Sequence, residues 1–408
     1  MSIIYLLIVK LAQGFLSLLN VFLKQGKLKA FIEGRRAQDL SKPLPKTGKR
    51  YWFHCASLGE FEQARPVIEA LKEHKPDTSI VITFFSPSGY EQRKDYALAD
   101  AVLYLPLDTP SNAKALIQYL QPDEAVFVKY EIWYFYLKQL QKSHIPVYLI
   151  SAVFRPGQFI FSKAGNWLFK LLPEFACIFL QDENSYQLLK QKGLNNIQLS
   201  GDTRYDRVKQ NALKVKLNEG IEAFKGSSPL IILGSSWQAE EQLALAFLED
   251  PKYTQYKVLI VPHDISQSHI DEIYSSVKKH GASLYTESSP TSEGRVLVMN
   301  TIGHLASAYY YGDLAVIGGA FGKGLHNILE ALSFGVPVVF GPNTSKFPEA
   351  ALAMHSEVAL SITDYKSLSA AVQYFLPEGH LQLDTRAKCI DFINWHSGAT
   401  DKVLKMLH

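Results

Sequence analysis

The sequence predicts an α/β protein: two doubly wound, Rossmann-like domains in series, preceded by an apolar N-terminal helix. Three observations predict it. The chain has 408 residues, too many for one ordinary core and suited to two domains of roughly 150–200 residues. Short β-branched apolar runs alternate with helical stretches, the pattern of parallel sheets covered on both faces. The first residues form an apolar run unlike anything that follows.

That run, Ile3 to Leu23, carries Lys10 as its only charge. About 20 such residues in a helix match a hydrocarbon core of roughly 30 Å. Lys24, Lys27, Lys29, Arg35 and Arg36 follow, which by the positive-inside tendency keeps the remainder cytoplasmic. The run thus predicts a membrane anchor over residues 1–23. Lys10, Gln13, Ser17 and Asn20 interrupt it and suit a helix lying in the interface as well as one that crosses. A signal peptide fits poorly, because no basic segment precedes the run and no small-x-small site follows it.

Residues 24–50 read as a basic, Pro-rich linker. The first domain is expected over 51–204, with strands at 51–57, 79–85, 101–106, 124–129, 146–151, 176–181 and 196–201. A polar linker, 205–228, leads to the second domain, 229–408, with strands at 230–235, 257–262, 295–300, 313–319 and 337–341. Two such domains leave a cleft that the carboxyl ends of both sheets face, where open α/β sheets bind ligands.

Composition excludes several classes. Apolar residues make up 47% and charged residues 20% of the chain, so it is not disordered. A net charge of +3 is too small for a nucleic-acid-binding face. Cys55, Cys177 and Cys389 are widely spaced and odd in number, which argues against a disulfide framework or zinc site and fits a reducing compartment. No His, Asp or Glu cluster has metal-ligand spacing, and no metal or cofactor is expected.

Chemistry concentrates where strands give way to helices. His54-Cys55-Ala56-Ser57-Leu58-Gly59-Glu60 ends a strand in a turn and opens a helix. Glu60 in that first turn either accepts a proton from a substrate hydroxyl or merely complements the helix dipole; Gly59 permits close backbone approach. Thr83-Phe84-Phe85-Ser86-Pro87-Ser88-Gly89 repeats the arrangement and reads as an anion-binding turn or an ordinary N-cap with Pro in the first turn. Glu131, in Lys129-Tyr130-Glu131, orients a substrate, braces the Glu60 loop or forms a structural ion pair. In the second domain Gly318-Gly319 opens a glycine-rich loop through Lys323 to His326-Asn327-Ile328-Leu329-Glu330. Asn327 and Glu330, three apart on an expected helix, share a face. Asn327 at the helix start suits a phosphate, and Glu330 suits the paired hydroxyls of a ribose. The loops at Gly234-Ser235-Ser236-Trp237 and Pro262-His263-Asp264 are expected at the same end.

The segments HCASLGE, FFSPSGYE, KYEIWY, GDTRYD, GSSWQAEE, VPHD and GGAFGKGLHNILEALSFGVPVVFGPNT together resemble the Kdo transferases of lipopolysaccharide synthesis, over nearly the whole chain. The resemblance implies the GT-B architecture, an inverting transfer from CMP-Kdo to a lipid A precursor, and attachment to the cytoplasmic side of the inner membrane. It makes Glu60 the general base, with Ser57 and Gly59 shaping its loop. Ser86, Ser88, Gly89 and Glu131 fall on the acceptor side. Ser235, Pro262, His263, Gly318, Gly319, Lys323, Asn327 and Glu330 fall on the CMP side. The chain departs from the family at His263-Asp264, where basic residues are usual, and in the loop before His326, where Lys323 stands in as a cation. Two other readings stay open: a transferase of this architecture that uses a UDP-sugar, and a membrane-tethered binding protein without turnover.

Overall fold

The computed structural model describes residues 2–23, 25–287, 294–322, 324–380 and 383–407. The chain forms two compact units, Met1–Arg207 together with Ser397–His408, and Val208–His396.

The first unit is built on a parallel sheet of β1 (Arg50–Cys55), β2 (Ser79–Phe84), β3 (Ala101–Tyr104), β4 (Glu124–Val128), β5 (Val147–Ala152), β6 (Cys177–Leu180) and β7 (Ile197–Leu199). Their spatial order is β3-β2-β1-β4-β5-β6-β7. The order reverses direction between β1 and β4, so both strands end at the switch point where such sheets leave a crevice. The strands are continuous apolar runs because helices cover both faces. One face packs Trp52, Val81, Phe127 and Leu149 against helices Pro110–Leu120 and Tyr134–Lys142. The other packs Phe53, Ile82, Val126 and Ile150 against helix Leu58–His74.

The second unit repeats the scheme with β8 (Leu230–Ser236), β9 (Lys257–Pro262), β10 (Ala282–Leu284), β11 (Val296–Val298), β12 (Leu314–Ile317), β13 (Val338–Phe340) and β14 (Ala359–Ser361). The order is β10-β11-β9-β8-β12-β13-β14, all parallel. Its reversal lies between β8 and β12. The sequence reading anticipated neither β10 nor β14; each has three residues and lies at a sheet edge.

The chain end differs from expectation. Residues 397–408, assigned from sequence to the second domain, belong to the first unit. Helix Ala399–Leu404 packs on helix Leu58–His74, and Val403 and Leu407 join the apolar cluster of β1 and β2. Asp206 fixes this return: its carboxylate accepts the backbone N–H of Gly398, and the N–H and hydroxyl of Thr400 at 2.7 and 2.8 Å. The unit boundary falls just after it, between Arg207 and Val208, and helix Thr203–Leu213 runs across the break.

The segment Ser2–Phe22 is one helix, and Ser2–Asn20 is long and apolar enough to cross a membrane by length and composition.

Removing the Asp206 carboxylate strands several buried donors. Asp206→Ala is expected to destabilise the first unit by about 2–4 kcal/mol. Hydrogen exchange in urea should show faster opening of Arg50–Cys55, with Lys257–Pro262 as an unchanged control.

Candidate functional site

Each unit gathers its polar loops at the carboxyl ends of its switch-point strands. In the first unit, β1 delivers His54-Cys55-Ala56 to the start of helix Leu58–His74, with Ser57 at the N-cap. Glu60 sits in the first turn, and its carboxylate accepts the backbone N–H of Ala56. Burial pushes the Glu60 carboxyl up to about 7, with the negative charge of Glu131 adding to it. The Ala56 amide and the Lys129 charge act against the shift.

Beside it lies a second polar group. The Trp133 indole N–H points at the Glu131 carboxylate at 2.6 Å, and His54 Nε2 lies 3.1 Å from the same oxygen. His54 Nδ1 contacts the Thr83 hydroxyl at 2.9 Å. Glu131 therefore partners a buried histidine and an indole. It reaches the Glu60 site because β4 adjoins β1. Lys129, at the end of β4, takes a left-handed backbone (φ 59), which turns the chain sharply before Glu131.

Ser86 caps helix Pro87–Arg93, its hydroxyl accepting the Ser88 N–H at 3.2 Å and lying 2.7 Å from the Ser88 hydroxyl. The Ser86 N–H donates to the Ala56 carbonyl at 2.7 Å, joining the β2 loop to the β1 loop. Gly89 is buried against Phe84, whose ring leaves no room for a Cβ. Its role is packing. Gly59 has an ordinary helical backbone with open space where a Cβ would stand, so neither φ nor crowding requires glycine there.

In the second unit, β8 carries Ser235 near its end with φ 54, and Gly318 follows β12. A Cβ on Gly318 would collide with the Ser235 carbonyl, so glycine is required for the two strand ends to touch. Glu240, buried, joins the two loops: one oxygen accepts the Gly319 N–H at 2.9 Å and the other the Trp237 N–H at 3.0 Å. Burial raises its carboxyl pKa. The amide of Gly319, which the resemblance puts on the CMP side, is thus engaged from within.

Over this staple lies a stack of rings. His263, exposed just after Pro262, stacks on Trp237 with centroids 4.6 Å apart and lies 4.7 Å from the His326 ring. The Trp237 indole N–H donates to His326 Nε2 at 3.2 Å. Burial, and then the His263 charge, lower the His326 pKa, consistent with a neutral acceptor ring. Trp237, Glu240, Gly319, Phe321, His326 and Phe347 line a cavity of about 540 Å³.

Asn327 and Glu330 come together as expected, the Asn327 amide donating to the Glu330 carboxylate at 3.0 Å. The helix, however, begins only at Leu329. Asn327 precedes it and caps the Leu329 N–H at 3.1 Å. Lys323 lies outside the described residues. Among the described residues, no group of three or more His, Cys, Asp or Glu is placed to hold a metal. The sequence reading gave no role to Glu240, Phe321 or Phe347; the Trp237-x-x-Glu240 spacing of a capping box was the available signal for the first.

Two all-parallel, seven-stranded, doubly wound sheets, each with its polar loops at a switch point, define the GT-B class of fold. Solved structures agree on the fold: the UDP-GlcNAc 2-epimerase of Neisseria meningitidis bound to UDP-GlcNAc superposes with a TM-score of 0.62 at 16% identity, covering 88% of this chain and 99% of that one. The UDP-GlcNAc 2-epimerase of Methanocaldococcus jannaschii gives 0.58 at 15%, covering 88% and 99%. In sequence, the chain is similar to Kdo transferases. Residues 31–207 match the family described as 3-deoxy-D-manno-octulosonic-acid transferase (kdotransferase). The chain is 28% identical to the 3-deoxy-D-manno-octulosonic acid transferase of Haemophilus influenzae, over 73% of this chain and 72% of that one. It is 29% identical to that of Aquifex aeolicus, over 72% and 76%, and 26% identical to that of Chlamydophila psittaci, over 82% of each. The resemblance read from the motifs is borne out by these similarities.

The raised Glu60 pKa carries a stability cost with a definite sign. An unfolded glutamate loses its proton near 4.3, whereas Glu60 in the fold holds it to about 7. Stability therefore falls as pH rises between those values, and the cost is complete above 7. Glu60→Gln is expected to stabilise the first unit by up to about 3 kcal/mol at pH 8 and to be neutral at pH 4, measured by urea unfolding at both pH values.

Proposed function

We propose that the protein transfers Kdo from CMP-Kdo to a hydroxyl of a lipid A precursor, with inversion, at the cytoplasmic side of the inner membrane. The observation that carries this reading is Glu60: a carboxylate at the switch point of a Kdo-transferase domain, with its pKa raised to about 7. A base so tuned holds and releases a proton near neutral pH.

Glu60 takes the proton of the acceptor hydroxyl as its oxygen attacks the anomeric carbon of the donor and CMP leaves. The bond to the acceptor forms as the bond to the phosphate breaks, and one displacement inverts the centre. Glu131, held by Trp133 and His54, raises the basicity of Glu60 through its charge. The second unit holds the nucleotide. Trp237, His263 and His326 present a flat ring surface suited to a base or sugar, the Asn327 amide suits the phosphate, and Glu330 suits the ribose hydroxyls. Ser235, Gly318 and Gly319 shape that pocket rather than donate to the ligand. Lys323 adds a cation to the leaving phosphate. The acceptor is a lipid, which accords with the apolar helix Ser2–Phe22 and the basic residues after it.

Purified protein incubated with CMP-Kdo and tetraacyl lipid A precursor should give a lipid heavier by one or more Kdo units on mass analysis. UDP-sugars should not replace the donor. The rate should rise with pH through a limb centred near 7, and Glu60→Gln should lower it by roughly 10²–10⁴. Full turnover by a folded Glu60→Gln enzyme would remove the base from this scheme. Trp237→Ala should weaken nucleotide binding, read as CMP protection of the remaining activity.

A further inference from the structure

The helix Ser2–Phe22 does not stand away from the first unit; it lies along it. Near its start, the Tyr5 hydroxyl donates to the Asp108 carboxylate at 2.9 Å. The Tyr5 ring packs on Phe135 at 5.9 Å and on Trp167 at 5.3 Å. Asp108 is itself buried and also accepts the backbone N–H groups of Phe135 and Tyr136, so Tyr5 is tied to a fixed point. Further along the helix, Gln13 and Leu16 line a small cavity with Phe31, Arg36, Leu107 and Asn112. The following helix, Lys27–Arg36, is clamped to the same unit: Arg35 donates to the carbonyls of Phe31, Leu105 and Phe85.

The opposite side of the helix is bare and apolar. Ile3, Ile4, Leu7, Ile8, Leu11, Phe15 and Leu18 are each more than half exposed. At 100° per residue they fall within an arc of about 140°, while half-buried Tyr5, Val9 and Leu16 point the other way. Exposed Lys10 borders the arc, and exposed Arg36 sits on the next helix.

We infer that this helix is an in-plane membrane dock: it lies flat between the first unit and one lipid leaflet, with the stripe from Ile3 to Leu18 among the acyl chains and Lys10 and Arg36 at anionic headgroups. A spanning helix is excluded by the same contacts. Crossing would put Tyr5 on the far side of some 30 Å of hydrocarbon from the end of the helix, yet residues 5, 13 and 16 all rest on one folded unit. An amphipathic helix with basic residues at its border matches the interface instead. The inference rests on the membrane reading above and specifies its geometry.

The test uses the full chain carrying Ser2→Cys, since Cys55, Cys177 and Cys389 are buried. The protein is bound to sealed vesicles of phosphatidylethanolamine and phosphatidylglycerol and separated by flotation. The introduced thiol should react fully with an impermeant maleimide added outside. Spin labels at Ile4→Cys, Leu11→Cys and Leu18→Cys should report one shared depth. Protection of the introduced thiol until detergent is added, with Leu11 about 10 Å deeper than the other two, would overturn the in-plane geometry and leave the membrane reading intact. Failure to float would sink the membrane reading itself. A dimer in lipid-free solution that Leu11→Lys dissociates would assign the stripe to a second copy and overturn the dock.

Discussion

A single buried carboxylate sets the shape of the second unit's pocket. Glu240 accepts from the amides of Trp237 and Gly319, which belong to loops leaving the two central strands of the sheet. Those loops are far apart in sequence, and nothing in the parallel ladder itself fixes how they meet beyond the strand ends. The Ser235–Gly318 contact brings the backbones together; Glu240 locks them. The ring stack of Trp237, His263 and His326 follows, because Trp237 takes its position from the staple. The first unit uses the same device on a smaller scale. Glu60 accepts from Ala56 within one turn, and Ser86 bonds the neighbouring loop to the Ala56 carbonyl.

The two carboxylates differ in what surrounds them. Glu240 has both oxygens occupied by amides and is closed in. Glu60 accepts from Ala56, feels a second carboxylate nearby, and remains partly open at the mouth of its sheet. An internal staple and a proton acceptor are thus built from one residue type in similar places. Burial raises the pKa of both, so the shift alone does not separate the roles. Exposure does: Glu240 is buried, whereas Glu60 is only half-buried.

Much of this was legible in the sequence. All the strands except β10 and β14 announce themselves as apolar runs bounded by turn residues, and the order of motifs placed Glu60 and Glu131 at strand ends. Adjacency of β1 and β4 then brought those two together. What was not legible has physical causes. β10 (Ala282-Ser283-Leu284) and β14 (Ala359-Leu360-Ser361) contain none of the β-branched residues that mark the equally short β7, β11 and β13. The helix after Asn327 starts late, at Leu329, with the Asn327 side chain accepting the Leu329 N–H from outside it. Ser86 caps its helix, one of the two readings its Ser-Pro turn offers, whereas the packing of Gly89 on the Phe84 ring leaves no local signal. The staple by Glu240 depends on a partner 79 residues away, and the first-unit place of Val403 and Leu407 depends on tertiary burial; neither leaves a local trace beyond a capping-box spacing.

The crossing at Arg207 and the return at Ser397 bear on how the chain is made. A ribosome delivers the strands of the first sheet early, at a pace of roughly 5–20 residues per second, but the helix Ala399–Leu404 that packs on its Phe53 face emerges only after the whole second unit. Until residues 398 and 400 emerge, the earlier-made half waits without the donors that Asp206 accepts, while the later half can already pack. Completion of the first unit therefore waits on residues made after the whole of the second, and loss of residues 397–407 would spoil the half encoded before it.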